Sequence, residues 1–228
     1  MFLNILSNNN LDGYTFYAHN LGRFYSAFIL KPLIIIDNIK ITPIWKDNGI
    51  LSIPITYKNV NIKILDSLQL INGNLDSILK SFNCNIKKGY FLYSFVNNNN
   101  LFYIGEKPSK YFYKNISDKD YSNISNNNWD LQKETLIYLK SDLEGLLEAL
   151  NIFNLNIYYK YKLNITNSKT LPSLALAVYT SNYINTNLEN KIKMVKGELE
   201  KEIRTSYFGG NVEVYVNKID KSYLYNLN

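Results

Sequence analysis

A chain of 228 residues that is 46% hydrophobic has enough apolar surface for one large domain, or for one domain and the start of another. Lys and Arg outnumber Asp and Glu by 25 to 19, for a net charge of +6. That balance suits a polyanionic partner, although Lys also belongs with Asn, Ile and Tyr to the A/T-rich codon set this sequence favours. One cysteine, Cys84, and one histidine, His19, exclude an internal disulfide framework, a cysteine metal cluster and any site built on two His ligands.

At the start, no basic stretch leads into an apolar run, so no cleaved signal is expected. Tyr14 to Ala18 predicts a short strand of aromatic and small residues. Asn20 to Leu30 predicts a helix with Phe24 and Phe28 four apart on one face, closed by Pro32. Phe28 to Ile36 is the most apolar stretch, but Lys31 and Pro32 interrupt it and it is too short to span a bilayer, so a soluble protein with no membrane partner is expected. Leu33 to Ile36, Ile39 to Trp45 and Ile50 to Tyr57 read as strands, the last two joined by a hairpin turn at Asn48-Gly49. Val60, Ile62 and Ile64 alternate in a further strand that ends at Asp66, and Leu75, Ile78, Leu79 and Phe82 mark a short amphipathic helix.

From Asn97 to Asn128 the chain is rich in Asn, Ser, Lys and Tyr and predicts long loops. Leu131 to Phe153 predicts the clearest helix, with Asp130 as N-cap and an apolar stripe of Leu136, Leu139, Leu143, Leu146, Leu147 and Leu150. A second long helix is expected from Leu188 to Ser206, with Ile192, Val195, Leu199 and Ile203 on its stripe and Gly209-Gly210 at its end. Val212, Val214 and Val216 then alternate as a strand, and Tyr223 to Leu227 reads as another. Strands that come first, with helices between and after them, place the chain in the α/β or α+β class.

Three segments carry a resemblance. Tyr17-Ala18-His19-Asn20-Leu21-Gly22-Arg23-Phe24 resembles the second exonuclease motif of family B DNA polymerases. Tyr138-Leu139-Lys140-Ser141-Asp142 resembles the third, Tyr-x-x-x-Asp, and Tyr207-Phe208-Gly209-Gly210 resembles the Tyr-x-Gly-Gly element between exonuclease and polymerase domains. Each is weak alone, but their order and spacing together are specific. Ile64-Leu65-Asp66-Ser67-Leu68 and Leu171 to Tyr183 extend the similarity to the protein-primed branch, whose members include phage polymerases and those of fungal mitochondrial plasmids.

The resemblance implies an RNase-H-like 3′→5′ exonuclease fold, a mixed sheet flanked by helices, lacking its first strands. Residues 1–162 would form this exonuclease-like domain and residues 163–228 a connector towards the palm. It implies DNA replication by a DNA-directed DNA polymerase, with Mg²⁺ as cofactor, single-stranded and primer-template DNA and a terminal protein as partners, and a mitochondrial location. Asp142 would be the metal ligand and Tyr138 its catalytic neighbour, one helical turn away. His19, Asn20, Phe24, Ser67, Leu68, Tyr207, Gly209 and Gly210 would contact DNA, and Arg204 a phosphate. Aromatic rings stack on bases, and small polar groups bond sugar and phosphate. The resemblance also sets Phe28 among the DNA-holding positions and Lys107 near the scissile phosphate. Each residue also has an ordinary structural use: Tyr138 and Asp142 as the polar edge of a helix, Phe28 as core, Lys107 as a solvated surface lysine, and Tyr207 to Gly210 as a glycine helix cap.

The chain departs from the family pattern in its acids. Proofreading of this type uses two metal ions roughly 3.5–4 Å apart, held by carboxylates. Tyr25 stands where the second motif's Asp belongs, and no Asp-x-Glu precedes His19. The segment Tyr225-Asn226-Leu227-Asn228 suggests an Asn where the first polymerase motif's Asp would stand. The expectation is therefore a catalytically deficient fragment, with a single-stranded DNA-binding remnant or a complementing subunit as alternatives.

Overall fold

A computed structural model describes residues 5–46, 49–124, 128–184 and 195–205, and of Phe24 the backbone alone. The chain divides into two units, Met1–Ile184 and Asn185–Asn228.

The first unit is built on a five-stranded mixed sheet. Its strands are β1 (Thr15–Ala18), β2 (Ile39–Ile41), β3 (Ile44–Lys46), β4 (Gly49–Tyr57) and β5 (Val60–Asp66). The order is β1-β5-β4-β2, with β3 also on β4. β4 and β5 form an antiparallel hairpin, as their alternation predicts, and β1 runs parallel to β5 with Ala18 opposite Asp66. The stretch expected as one strand from Ile39 to Trp45 is two, because Pro43 has no N–H to continue the ladder. Its halves pair with opposite ends of β4, Ile39 facing Tyr57 and Lys46 facing Gly49.

Between β1 and β2 the chain makes a five-residue π-type turn, Leu21–Tyr25, and enters helix α1 (Ser26–Ile34). Two expectations fail here. Pro32 lies inside the helix rather than closing it, and Leu33 and Ile34 are helical rather than the start of a strand. The β-branched run Ile34 to Ile36 favours a strand by well under 1 kcal/mol per residue. Fully burying Leu33 in the core under the sheet is worth about 1.5–3 kcal/mol, and only the helix delivers it there. Phe28, read as core, is 68% exposed. Gly22 lets the turn press on β4, since a Cβ at this position would meet the Ile50 carbonyl oxygen at 2.8 Å.

Helix α2 (Leu75–Ser81) is capped by Asn74, whose side chain accepts from the Ser77 N–H. After a short helix α3 (Asp118–Ser122) comes α4 (Leu131–Tyr161), capped by Asp130 as predicted but about two turns longer than the expected end at Phe153. It ends at Lys162 in the left-handed region, and α5 (Leu171–Asn182) follows behind a capping box of Thr170 and Ser173. Leu146, Ala149 and Leu150 of α4 pack with Leu75, Ile78 and Leu79 of α2. Ile165 and Leu174 join the same core, so residues 163–184, expected to open a connector, pack with what precedes them. Leu136, Leu139, Leu143 and Leu147, on the same predicted stripe, are exposed.

The Asn-rich middle forms a small lobe with its own aromatic core of Tyr113, Trp129, Phe95 and Tyr103, closed by the strand pair β6 (Ile104–Gly105) and β7 (Trp129–Asp130). In the second unit the described part is helix α6 (Glu198–Thr205), which displays Leu199 and Ile203 on one side. The expected helix start at Leu188, Gly209-Gly210 and the strands beyond lie outside the described residues. No helix among the described residues is long and apolar enough to cross a membrane.

Candidate nucleic-acid cleft

The parallel register of β1 and β5, with Ala18 opposite Asp66, brings the ends of two distant strands to one place. Where β1 ends, Asn20 takes a left-handed conformation (φ 66°), and where β5 ends, Asp66 is 2% exposed. One Asp66 oxygen accepts the N–H of Asn20 at 2.9 Å and of Leu68 at 3.0 Å, and the other accepts the N–H of Gly22 at 3.1 Å. One buried carboxylate thus closes the turn after each strand, and charge-assisted bonds of this kind are the stronger class.

His19 is also held on both sides. Its Nε2 lies 2.8 Å from the Gly73 carbonyl and its Nδ1 3.0 Å from the Ser67 hydroxyl. A carbonyl only accepts, so Nε2 carries a proton, and Nδ1 is hydrogen-bonded to the Ser67 hydroxyl. Ser67 is fully buried. These two residues, expected to contact DNA, are hydrogen-bonded to each other, and His19 also to Gly73.

The opposite wall is α4. Tyr138, Leu139, Asp142, Leu143 and Leu146 face Tyr17, His19, Asn20, Tyr25 and Leu68 across a cleft of about 640 Å³. The segment before the aromatic lobe forms a third side with Lys88 and Tyr93. It is pinned to α4 at several points. Glu148 accepts the N–H groups of Asn85 and Ile86, which hold its carboxyl below the ordinary range. Ser141 donates to the Lys87 carbonyl, and a Cβ on Gly89 would meet the Tyr138 ring at 3.2 Å.

The Tyr93 and Tyr138 hydroxyls lie 2.9 Å apart, and Phe91 packs on both rings. Burial pushes the Tyr138 phenol far above its ordinary range, and the Tyr93 hydroxyl and Asp142 carboxylate push it the same way. One Asp142 oxygen is buried without a hydrogen-bond partner, and so is the Tyr17 hydroxyl. Burial raises the Tyr17 pKa to about 12.

Of the residues expected at the site, His19, Asn20, Leu68, Tyr138 and Asp142 share the cleft, and Ser67 lies behind its floor. The Phe24 side chain and Tyr207, Gly209 and Gly210 fall outside the described residues. Lys107 is not a solvated lysine: its ammonium donates to the Tyr121 and Ile124 carbonyls and sits 4.1 Å from the centre of the Tyr121 ring. Arg204 is paired with Glu200. Lys88 and Tyr93 went unnoticed in the sequence, as did the structural task of Asp66, while Tyr17 entered only as the first residue of a motif. Lys88 and Tyr93 lie in a stretch without periodicity, and only its contact with α4 brings them to the cleft.

The donor set decides what the cleft can hold. Asp142 is the one acid among the described residues that line it, and no group of three or more Asp, Glu, His or Cys side chains comes together among those residues. Asp66 already takes three N–H groups, and Tyr25 offers a phenol. A pair of Mg²⁺ ions carries four positive charges and prefers hard, anionic oxygen ligands. The described residues do not fit such a pair.

Residues 5–228 match the family described as DNA polymerase type B, organellar and viral. Over 228 aligned residues the chain is 40% identical to a probable DNA polymerase of Agaricus bitorquis, covering 95% of this chain and 28% of that protein. It is 37% identical to a probable DNA polymerase of Podospora anserina over 78% of this chain and 16% of that one. The fold is similar to that of Phi29 DNA polymerase complexed with single-stranded DNA, with a TM-score of 0.54 and 22% identity over 92% of this chain and 33% of that chain. The chain therefore spans less than a third of the length of the relatives it matches.

Proposed function

Because this chain belongs to the organellar and viral type B DNA polymerase family, we propose that it serves DNA replication as part of a DNA-directed DNA polymerase, and that its cleft receives the 3′ end of single-stranded DNA. The observation that carries the cleft assignment is the meeting of Asn20, Lys88, Tyr93, Tyr138 and Asp142 between the β1 and β5 ends and α4. A lysine for phosphate, aromatic rings for bases and an amide for sugar or base edges are what a single strand needs. The Phi29 DNA polymerase of similar fold is complexed with single-stranded DNA, in keeping with this reading.

Chain extension belongs to a longer assembly, since the relatives carry more than twice as much sequence again. The expected terminal protein and mitochondrial location stay with that assembly, and co-purification and import assays test them. Degradation of DNA by this chain alone is not expected, because the described acids do not fit the ion pair that such hydrolysis uses.

The test is fluorescence anisotropy with 5′-labelled oligonucleotides. Single strands should bind with strong salt dependence, and blunt duplexes of the same length at least about tenfold more weakly. Equal affinity for both would remove the cleft from the account.

A further inference from the structure

We infer that the cleft takes its single-stranded DNA end without a divalent cation, with Lys88 answering the phosphates and Asp142 opposing them. This rests on the cleft being the DNA site, and goes beyond it by assigning the sign of each charge's effect.

Among the described residues at the cleft, the acidic, imidazole and phenol groups that could have anchored a cation beside Asp142 are otherwise engaged or of the wrong kind, and the Asn20 amide is neutral. The Asp66 carboxylate is buried and takes the N–H groups of Asn20, Gly22 and Leu68. Both His19 nitrogens are bonded, one of them to a carbonyl that keeps its proton in place. The phenols of Tyr17 and Tyr138 are pushed up by burial, so neither supplies an anionic oxygen near neutral pH. Among the described residues of the lining, the charged side chains are one carboxylate, Asp142, and one lysine, Lys88.

Without a cation between them, a carboxylate and a nearby phosphate repel. Lys88 then supplies the positive charge that a metal would otherwise bring. The Asp142 oxygen that lacks a partner is left to accept from neutral donors such as a terminal hydroxyl or a base amine. The two arrangements differ in sign. If a cation bridged protein and DNA, neutralising Asp142 would weaken binding. If none does, neutralising it relieves repulsion and strengthens binding.

The experiment measures binding of a 5′-labelled single-stranded oligonucleotide to the full chain and to Asp142→Asn, in EDTA and in millimolar Mg²⁺ at constant ionic strength. Circular dichroism confirms the variant's fold. Affinity of the unaltered chain should agree within about twofold between the two buffers, and Asp142→Asn should bind about three- to tenfold more tightly in both. A gain of tenfold or more from Mg²⁺ that Asp142→Asn abolishes would overturn the inference while leaving the cleft as the DNA site. Absence of binding in either buffer would instead fail the cleft reading. Cation binding is then read without DNA, by Mn²⁺ water-proton relaxation. A Mn²⁺ site lost in Asp142→Asn overturns the inference directly, and relaxation unchanged by the substitution supports it.

Discussion

The two walls of the cleft are built on opposite principles. On the sheet side, Asp66, His19 and Ser67 are closed among themselves: three N–H groups on one carboxylate, and an imidazole held at both nitrogens. On the α4 side, Asp142 keeps a buried oxygen without a partner, Tyr138 leans on Tyr93, and Leu139 and Leu143 stand exposed. Apart from the Tyr17 hydroxyl, which is also buried without a partner, these sheet-side groups are spent on shape, whereas the helix side holds the Asp142 oxygen in reserve. Buried polar groups are nearly always satisfied, so an unsatisfied one on a cleft wall is where a ligand has something to gain.

The contrast breaks most visibly at Asp66. Replacing it with Ala leaves the N–H groups of Asn20, Gly22 and Leu68 without their acceptor. At about 1–3 kcal/mol for each buried unmet group, partly relieved by water, the loss should reach about 3–5 kcal/mol in urea unfolding. A loss under about 1 kcal/mol would show that the carboxylate does not organise the turns. The helix side should be far more tolerant. Tyr93→Phe removes one hydroxyl contact with Tyr138 while keeping the ring packing, and should cost about 0.5–1 kcal/mol by the same measurement.

A further effect appears only at alkaline pH. Burial raises the Tyr17 pKa from 10.0 to about 12, so the folded protein holds this proton more tightly than the unfolded chain. The associated stability is present below about pH 10 and is lost as pH rises towards 12. Tyr113 behaves alike, also rising to about 12 through burial. Tyr17→Phe should therefore flatten part of the alkaline decline in urea midpoints and leave the Tyr113 part. An unchanged slope would mean that the Tyr17 hydroxyl reaches water.

Much of this was legible in the sequence where pattern and burial coincide. The alternation of Val60, Ile62 and Ile64 and the Asn48-Gly49 signal lead to the β4–β5 and β3–β4 pairings, and Asp130 caps α4 as its position suggests. The pattern misleads where tertiary burial outweighs local preference, as at Leu33, or where one proline cuts a strand, as at Pro43. The resemblance singled out Tyr138 and Asp142, which line the α4 wall of the cleft. It did not reveal that His19 and Ser67 are bonded to each other, because hydrogen bonds between residues 48 positions apart leave no local trace. Lys88 and Tyr93 were invisible for a similar reason: their placement comes from Glu148 and Ser141 on α4, which grip the chain just before them.

The account turns on the cleft as the place where a DNA strand is held, and charge removal at matched lysines tests this most directly. Lys88 lines the cleft, while Lys114 is exposed on the aromatic lobe. Single-stranded DNA binding at fixed low salt should weaken about tenfold in Lys88→Gln and less than about twofold in Lys114→Gln. Equal losses in the two variants would mean that net charge, and not this cleft, attracts the strand.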